Sequence, residues 1–164
     1  MTLAYVVTDR ETDIAILKKL LPLELAESLT FYAAHGKYSA RSAAGTLLSA
    51  RMRPVALVLD ADTENPDEVR EKIELVNTML YPASSPETPF KVFLATPSIA
   101  SILSSPSGDQ AASMETLDRL TPTQIQSLQR HSLIQQLIEF LSSLTQQMLH
   151  QPIRLIDTQV NSLL

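Results

Sequence analysis

The chain has 164 residues, 45% of them hydrophobic, a formal net charge of -5 and no cysteine. That length suits one domain with a sizeable core, and the missing cysteine excludes disulfides and thiolate metal sites. A pI near 5.1 and the lack of tryptophan argue against a strongly basic nucleic-acid binder and against a base-stacking platform. No apolar run approaches the ~20 residues of a membrane span, and the first residues lack the basic-then-apolar form of a signal peptide. A cytoplasmic protein with no membrane partner is therefore expected.

In chain order, Leu3 to Thr8 is a short β-branched apolar run and predicts a buried strand. Thr12 to Leu21 predicts a helix on the spacing of Ile14, Leu17 and Leu21, capped by Asp9 or Thr12 and stopped by Pro22. Leu29 to Ala34 is a second strand, and Ser39 to Arg51 a helix with Ala43, Ala44, Leu47 and Leu48 on one face. Val55 to Leu59 is the clearest strand. Pro66 to Leu80 is the clearest helix. Val69, Ile73, Val76 and Leu80 recur along it, Pro66 opens it, and Glu68 and Lys72 have ion-pair spacing. Tyr81 to Pro89 predicts a loop, Phe90 to Ala95 a fourth strand, and Ser98 to Leu103 a short helix. Ser104 to Ser113 is rich in serine, proline and glycine. Past Leu120 only four charged residues remain, Arg130, Glu139, Arg154 and Asp157. Thr121-Pro122 looks like a helix start, and Leu133, Leu137, Leu141, Leu144 and Met148 form a long apolar stripe.

This alternation argues for an α/β, Rossmann-like parallel sheet flanked by helices. It divides the chain into an α/β domain over residues 1–103, a linker or loop over 104–120, and a helical C-terminal segment over 121–164. That last segment would pack on the domain or on a second copy, as a homodimer helix. Ligands of such sheets bind beyond the carboxyl ends of the strands. Asp9, His35, Asp60, Asp62 and Thr96 would gather there. Asp60 and Asp62 follow a buried strand one residue apart, and their repulsion needs an offset. Magnesium or manganese, held by hard oxygen ligands, would supply it.

The run Val6-Val7-Thr8-Asp9-Arg10-Glu11-Thr12-Asp13-Ile14 resembles the first motif of TOPRIM domains, most closely those of the overcoming-lysogenization-defect nuclease type. There a strand ends in Val-Glu-Gly and runs into a helix beginning Glu/Lys-Thr-Asp. Ala34-His35-Gly36-Lys37 is similar to that family's glycine turn, and Val58-Leu59-Asp60-Ala61-Asp62 to its Asp-x-Asp motif. The resemblance covers Leu3 to about Leu103. It implies a TOPRIM-type sheet and phosphoryl transfer on nucleic acid with Mg2+ or Mn2+. Asp9 and Asp60 would be the catalytic residues, and Asp9, Asp60 and Asp62 the metal ligands. It also implies a separate ATPase chain as partner, since no nucleotide loop precedes the domain. Three departures go with it: Asp9 stands for glutamate, Arg10 for glycine, and Ala100 for the acidic residue of Pro-x-Ile-Glu. They imply the alternative of a catalytically degenerate binding or regulatory module.

Gly36, Lys37 and Arg41 are candidates for phosphate binding, because a helix begins beside them with free N–H groups. His35 would assist proton transfer or simply be a solvated turn residue. Each carboxylate also has a plainer role open to it. Asp60 and Asp62 would form an Asx-type turn, and Asp9 a helix cap or an ion pair with Arg10. In a further alternative, a Rossmann-like phosphatase or hydrolase, Asp60 would be a nucleophile.

Overall fold

The structure, a computed structural model, describes residues 2–103 and 114–163. Four strands form one sheet: β1 (Ala4–Thr8), β2 (Leu29–Ala33), β3 (Val55–Asp60) and β4 (Phe90–Ala95). Every pairing is parallel, in the order β2-β1-β3-β4. The fold is thus α/β with a parallel sheet, as the alternation predicts. Val55 to Leu59 are all buried, which is why this strand reads as an unbroken apolar run: its two faces are both covered.

Helices lie on each face. On one side α3 (Lys37–Thr46), the π turn that extends it (Leu47–Arg51) and α4 (Pro66–Leu80) send Ala40, Ala44, Leu48, Val76 and Leu80 onto Val7, Val55, Leu57, Leu59 and Val92. The other side carries α1 (Glu11–Leu20) and three C-terminal helices, α5 (Met114–Asp118), α6 (Pro122–Gln129) and α7 (Ser132–Leu163). There Ile16, Leu17, Leu117, Ile134, Leu137 and Leu141 join Val6, Ala56, Val58 and Phe93 in a single core. Phe93 meets Phe140 of α7 edge-on, with ring centroids 6.0 Å apart. The alternation along β3 sets both layers, since Ala56 and Val58 face one core and Val55, Leu57 and Leu59 the other.

Several local expectations are refined. A short helix, α2 (Leu23–Glu27), fills the connection after Pro22. The buried face of α1 is Asp13, Ile16, Leu17 and Leu20, about one residue of rotation away from the Ile14–Leu17–Leu21 stripe. Neither Asp9 nor Thr12 caps α1; Arg10 holds the N-cap position without a side-chain cap bond. The helix expected to Arg51 is α-helical to Thr46 and then widens into a π turn, Leu47–Arg51. It is closed by Met52 in the left-handed region at φ 53°. Asn65 caps α4 by accepting from the Asp67 N–H at 3.0 Å, with Pro66 in the first turn. The Glu68–Lys72 pair does not form. Glu68 accepts instead from the Thr63 hydroxyl at 2.6 Å, and Lys72 donates to the Ala61 carbonyl at 2.6 Å.

Residues 104–113 of the expected linker lie outside the described residues, and α5 follows them. The Thr121 start is a capping box, reciprocated by Gln124. Leu133, Leu137, Leu141 and Leu144 are buried against the sheet of their own chain, whereas Met148 is 37% exposed. No helix among the described residues is long and apolar enough to cross a membrane.

Because Leu141 is fully buried, Leu141→Ala should cost about 2–5 kcal/mol of unfolding free energy. Chemical denaturation of the two proteins measures it. A loss below about 1 kcal/mol, within the range of surface substitutions or little above it, would mean that α7 is not part of the core.

Candidate functional site

The strand order reverses between β1 and β3, the point at which open α/β sheets form a crevice beyond their carboxyl ends. Asp9 and Arg10 follow β1 directly, and Asp60 ends β3, so the two strands deliver opposite charges to the two sides of that crevice. Arg10 Nη2 donates to Asp60 Oδ2 at 2.5 Å. The Ile99 N–H donates to the other oxygen, Oδ1, at 2.7 Å. Asp60 is 10% exposed and has a charge-assisted donor on each oxygen, among the stronger hydrogen bonds that proteins make.

Arg10 also serves a second carboxylate. Its Nε lies 3.6 Å from Asp13 Oδ2, on the first turn of α1. Asp13 is 2% exposed, and that oxygen accepts no hydrogen bond among the described residues. The separation is ion-pair range but too long for a hydrogen bond. Burial pushes the Asp13 carboxyl above its ordinary pKa and outweighs the Arg10 charge that pulls it down; Asp60 adds to the rise. The Arg10 guanidinium is held above its usual value, chiefly by Asp13, with Asp60 and Asp9 contributing and desolvation opposing. Thr8 fixes the turn, its hydroxyl donating to the Arg10 carbonyl at 3.0 Å.

Asp62 goes elsewhere. Its backbone is left-handed at φ 58°, a conformation aspartate tolerates better than most residues, and its N–H donates to the Pro97 carbonyl at 2.8 Å. Its exposed carboxylate is ion-paired with Lys37 of α3. Asp9 makes no hydrogen bond or ion pair through its carboxylate among the described residues, and only its carbonyl is used, accepting from the His35 N–H at 2.7 Å. The expected Asp9–Arg10 pair is therefore replaced by Arg10–Asp60 and Arg10–Asp13. His35 is left-handed at φ 57°, and Gly36 has φ 144°, a region open to glycine. Gly36 accepts from the Ala40 N–H at 2.8 Å at the start of α3. Arg41 lies a turn further on, its guanidinium 5.5 Å from the Tyr38 ring centre. Of the phosphate-binding candidates, then, Lys37 is occupied by Asp62 and Arg41 stacks on an aromatic ring.

The donor set does not fit a divalent cation as it stands. Magnesium and manganese are bound through several oxygen ligands. Among the described residues no group of three or more His, Asp or Glu side chains is placed to hold a metal ion. Each oxygen of Asp60 already accepts a hydrogen bond, from Arg10 or from the Ile99 N–H, and Asp62 is turned to Lys37. The structure brings together Arg10, Asp13 and Asp60, and separately Lys37 and Asp62. Asp13 has no place among the site residues expected from sequence, where Arg10 enters only as a departure from the motif and as a partner for Asp9. The available signal was helical period: Asp13 falls on the same stripe as Ile16, Leu17 and Leu20. Comparison with known protein families, with curated proteins and with solved structures yields no match to this chain.

The raised Asp13 carboxyl has a pH consequence. A folded-state pKa above the unfolded value of about 3.9 means that the folded protein binds the extra proton. This contribution to stability is present at low pH and is lost as pH rises from about 3.9 through the raised value. Asp13→Asn should remove that part of the stability–pH profile and leave the profile flatter there, as thermal melts across acidic pH would measure. An unchanged slope would show that Asp13 is not the group titrating.

Proposed function

We propose that this chain is a TOPRIM-like binding or regulatory module, whose acidic rim is neutralised by its own cations in place of a metal. The observation that carries this reading is the Arg10 bridge: one guanidinium reaches both Asp60 and Asp13 across the β1–β3 crevice. The sequence resemblance supplies the TOPRIM part of the reading. The parallel sheet and the gathering of all three motif ends at one rim are consistent with it. Arg10 stands where the resemblance expects glycine, and glycine would leave the same space open. A guanidinium cannot lose its proton at ordinary pH, so it offsets the carboxylates permanently. It offers neither a Lewis acid nor an activated water, the two services a metal brings to phosphoryl transfer. A module of this kind would engage nucleic acid or a separate ATPase chain by contact, without cutting phosphodiesters.

The test is titration calorimetry with Mn2+ and Mg2+ on folded proteins, paired with cleavage assays on plasmid and single-stranded DNA. The wild type should take up no metal at millimolar concentration and cut neither substrate. Arg10→Gly should gain metal binding, and Arg10→Gly with Asp60→Asn should lose it again. Wild-type metal uptake and cleavage, both abolished by Asp60→Asn, would overturn this reading in favour of a metal-dependent nuclease. A folded Arg10→Gly that still takes up no metal would overturn the role given to Arg10.

A further inference from the structure

The two edges of the sheet are finished differently. At β4 the strand is preceded by Pro89 and carries Lys91, and Phe93 packs under α7. Proline, lysine and a covering helix are the usual devices that keep a sheet edge from pairing. The β2 strand itself has neither proline nor lysine, although α1 and α2 pack on one of its faces and Lys18 lies over Phe31. Leu29-Thr30-Phe31-Tyr32-Ala33 has no charge, no proline and no glycine, and it lies at the end of the sheet order. Ala34 donates to the Thr8 carbonyl of β1. By the alternation of a parallel ladder, Leu29, Phe31 and Ala33 turn their N–H and C=O groups away from β1. Among the described residues these groups make no hydrogen bond on that outer side.

Each side of β2 also has a cavity beside it. On the α3 face a groove of about 580 Å³ beside Tyr32 is lined by Tyr38, Ser39, Ser42, Thr46, Leu47 and Arg51. On the α1 and α2 face a groove of about 490 Å³ is lined by Leu23, Ala26, Phe31 and Lys18. Leu23 is 73% exposed, Tyr38 81% and Tyr32 50%. A strand added to β2 would direct alternate side chains into these two grooves.

We infer that the added strand is β2 of a second copy of this chain, paired antiparallel about a two-fold axis through Phe31, which makes one eight-stranded sheet of two four-stranded ones. The helices beside β2 offer groups that suit the strand itself. On the α3 side Tyr38, Ser39, Ser42 and Thr46 line the groove next to Tyr32, and on the α1 and α2 side Leu23 and Ala26 line the groove next to Leu29, Thr30 and Phe31. Such self-complementarity is what an isologous interface requires. In this register Phe31 faces Phe31, and Leu29 faces Ala33. These are the residues with outward N–H and C=O groups, so the hydrogen-bonding parity is satisfied as well. The net charge of -5 does not oppose the contact locally. The residues lining the two grooves include Lys18 and Arg51 but only one carboxylate, Glu27. The stripe on α7 from Leu133 to Leu144 is used within its own chain, so of the two roles open to that stripe it takes packing on the domain, and self-association falls to β2. This inference does not depend on the function proposed for the rim.

The test combines light scattering with amide exchange. From micromolar to several hundred micromolar, the wild type should move toward twice the chain mass of 18.1 kDa. Tyr32→Lys, verified as folded by circular dichroism, should remain at chain mass across that range. The amides of Phe31 and Ala33 should exchange slowly in concentrated wild type and faster on dilution, a readout that holds even if the variant fails to fold. Three results would each overturn the inference: a wild type at chain mass throughout, a dimer that folded Tyr32→Lys leaves intact, or Phe31 and Ala33 amides that exchange freely at every concentration. A monomeric wild type that protects those amides only when an extended peptide is added would replace the second copy by a peptide partner.

Discussion

The parallel pairing of β1 with β3 is the constraint on which the rest of this molecule depends. Tyr5, Val6 and Val7 align with Val55, Ala56 and Leu57, although the two strands are separated in sequence by α1, α2, β2 and α3. That register fixes how far each strand projects at the carboxyl rim. It places Arg10, two residues past β1, within hydrogen-bond distance of Asp60, the last residue of β3. A shift of one residue would turn every side chain of the moved strand to the opposite face, breaking both cores and the charge cluster together. The site and the core are therefore held by the same geometry.

The charge cluster shows how burial and pairing divide the work. Asp60 keeps donors on both oxygens, and Asp13, deeper in the fold, has Arg10 at 3.6 Å from an oxygen that accepts no hydrogen bond among the described residues. For Asp13 desolvation is the larger influence and Arg10 the smaller. A single guanidinium serves two carboxylates because its fork of five N–H donors spreads one charge over several directions. Lys37, with a point charge, serves only Asp62, and both of those side chains are solvated enough for that pair to add little stability.

Helix coverage of the sheet is uneven, and the unevenness decides where surface remains. One face is closed by α1 and the C-terminal helices, whose leucines reach across to Phe93 at the β4 edge. The other, among the described residues, carries α3 with its π turn and α4, which lie over β1, β3 and β4. The strip above β2 is left as a groove beside tyrosines, and the strand's outer backbone is left without partners. The long C-terminal helix packs beside one edge strand, as α1 and α2 pack beside the other, but the outer edge of β2 carries no proline and no charge.

The sequence by itself determined the order and kind of the main elements. Val55 to Leu59 could be read as a doubly buried strand because every residue is apolar. Pro66 to Leu80 could be read to the residue because its opening proline and its apolar period agree. The gathering of Asp9, Gly36 and Asp60 at one rim followed from alternation alone. Short α2 lacked the length to show a period. The polarity of Asp13 hid its place on the buried stripe of α1. Tertiary structure alone decided who pairs with whom. Asp60 and Asp62 would share a face if the strand continued, but the chain leaves the strand at Ala61 and turns left-handed at Asp62, so the carboxylates part. Glu68 and Lys72 have the spacing of a pair, but Thr63 and the Ala61 carbonyl offer each a partner that the helix alone does not possess. Periodicity records which side of an element is buried, a local property of composition. The identity of a charge's partner depends on strand register and on backbone that is distant in sequence, and it is fixed only when the sheet closes.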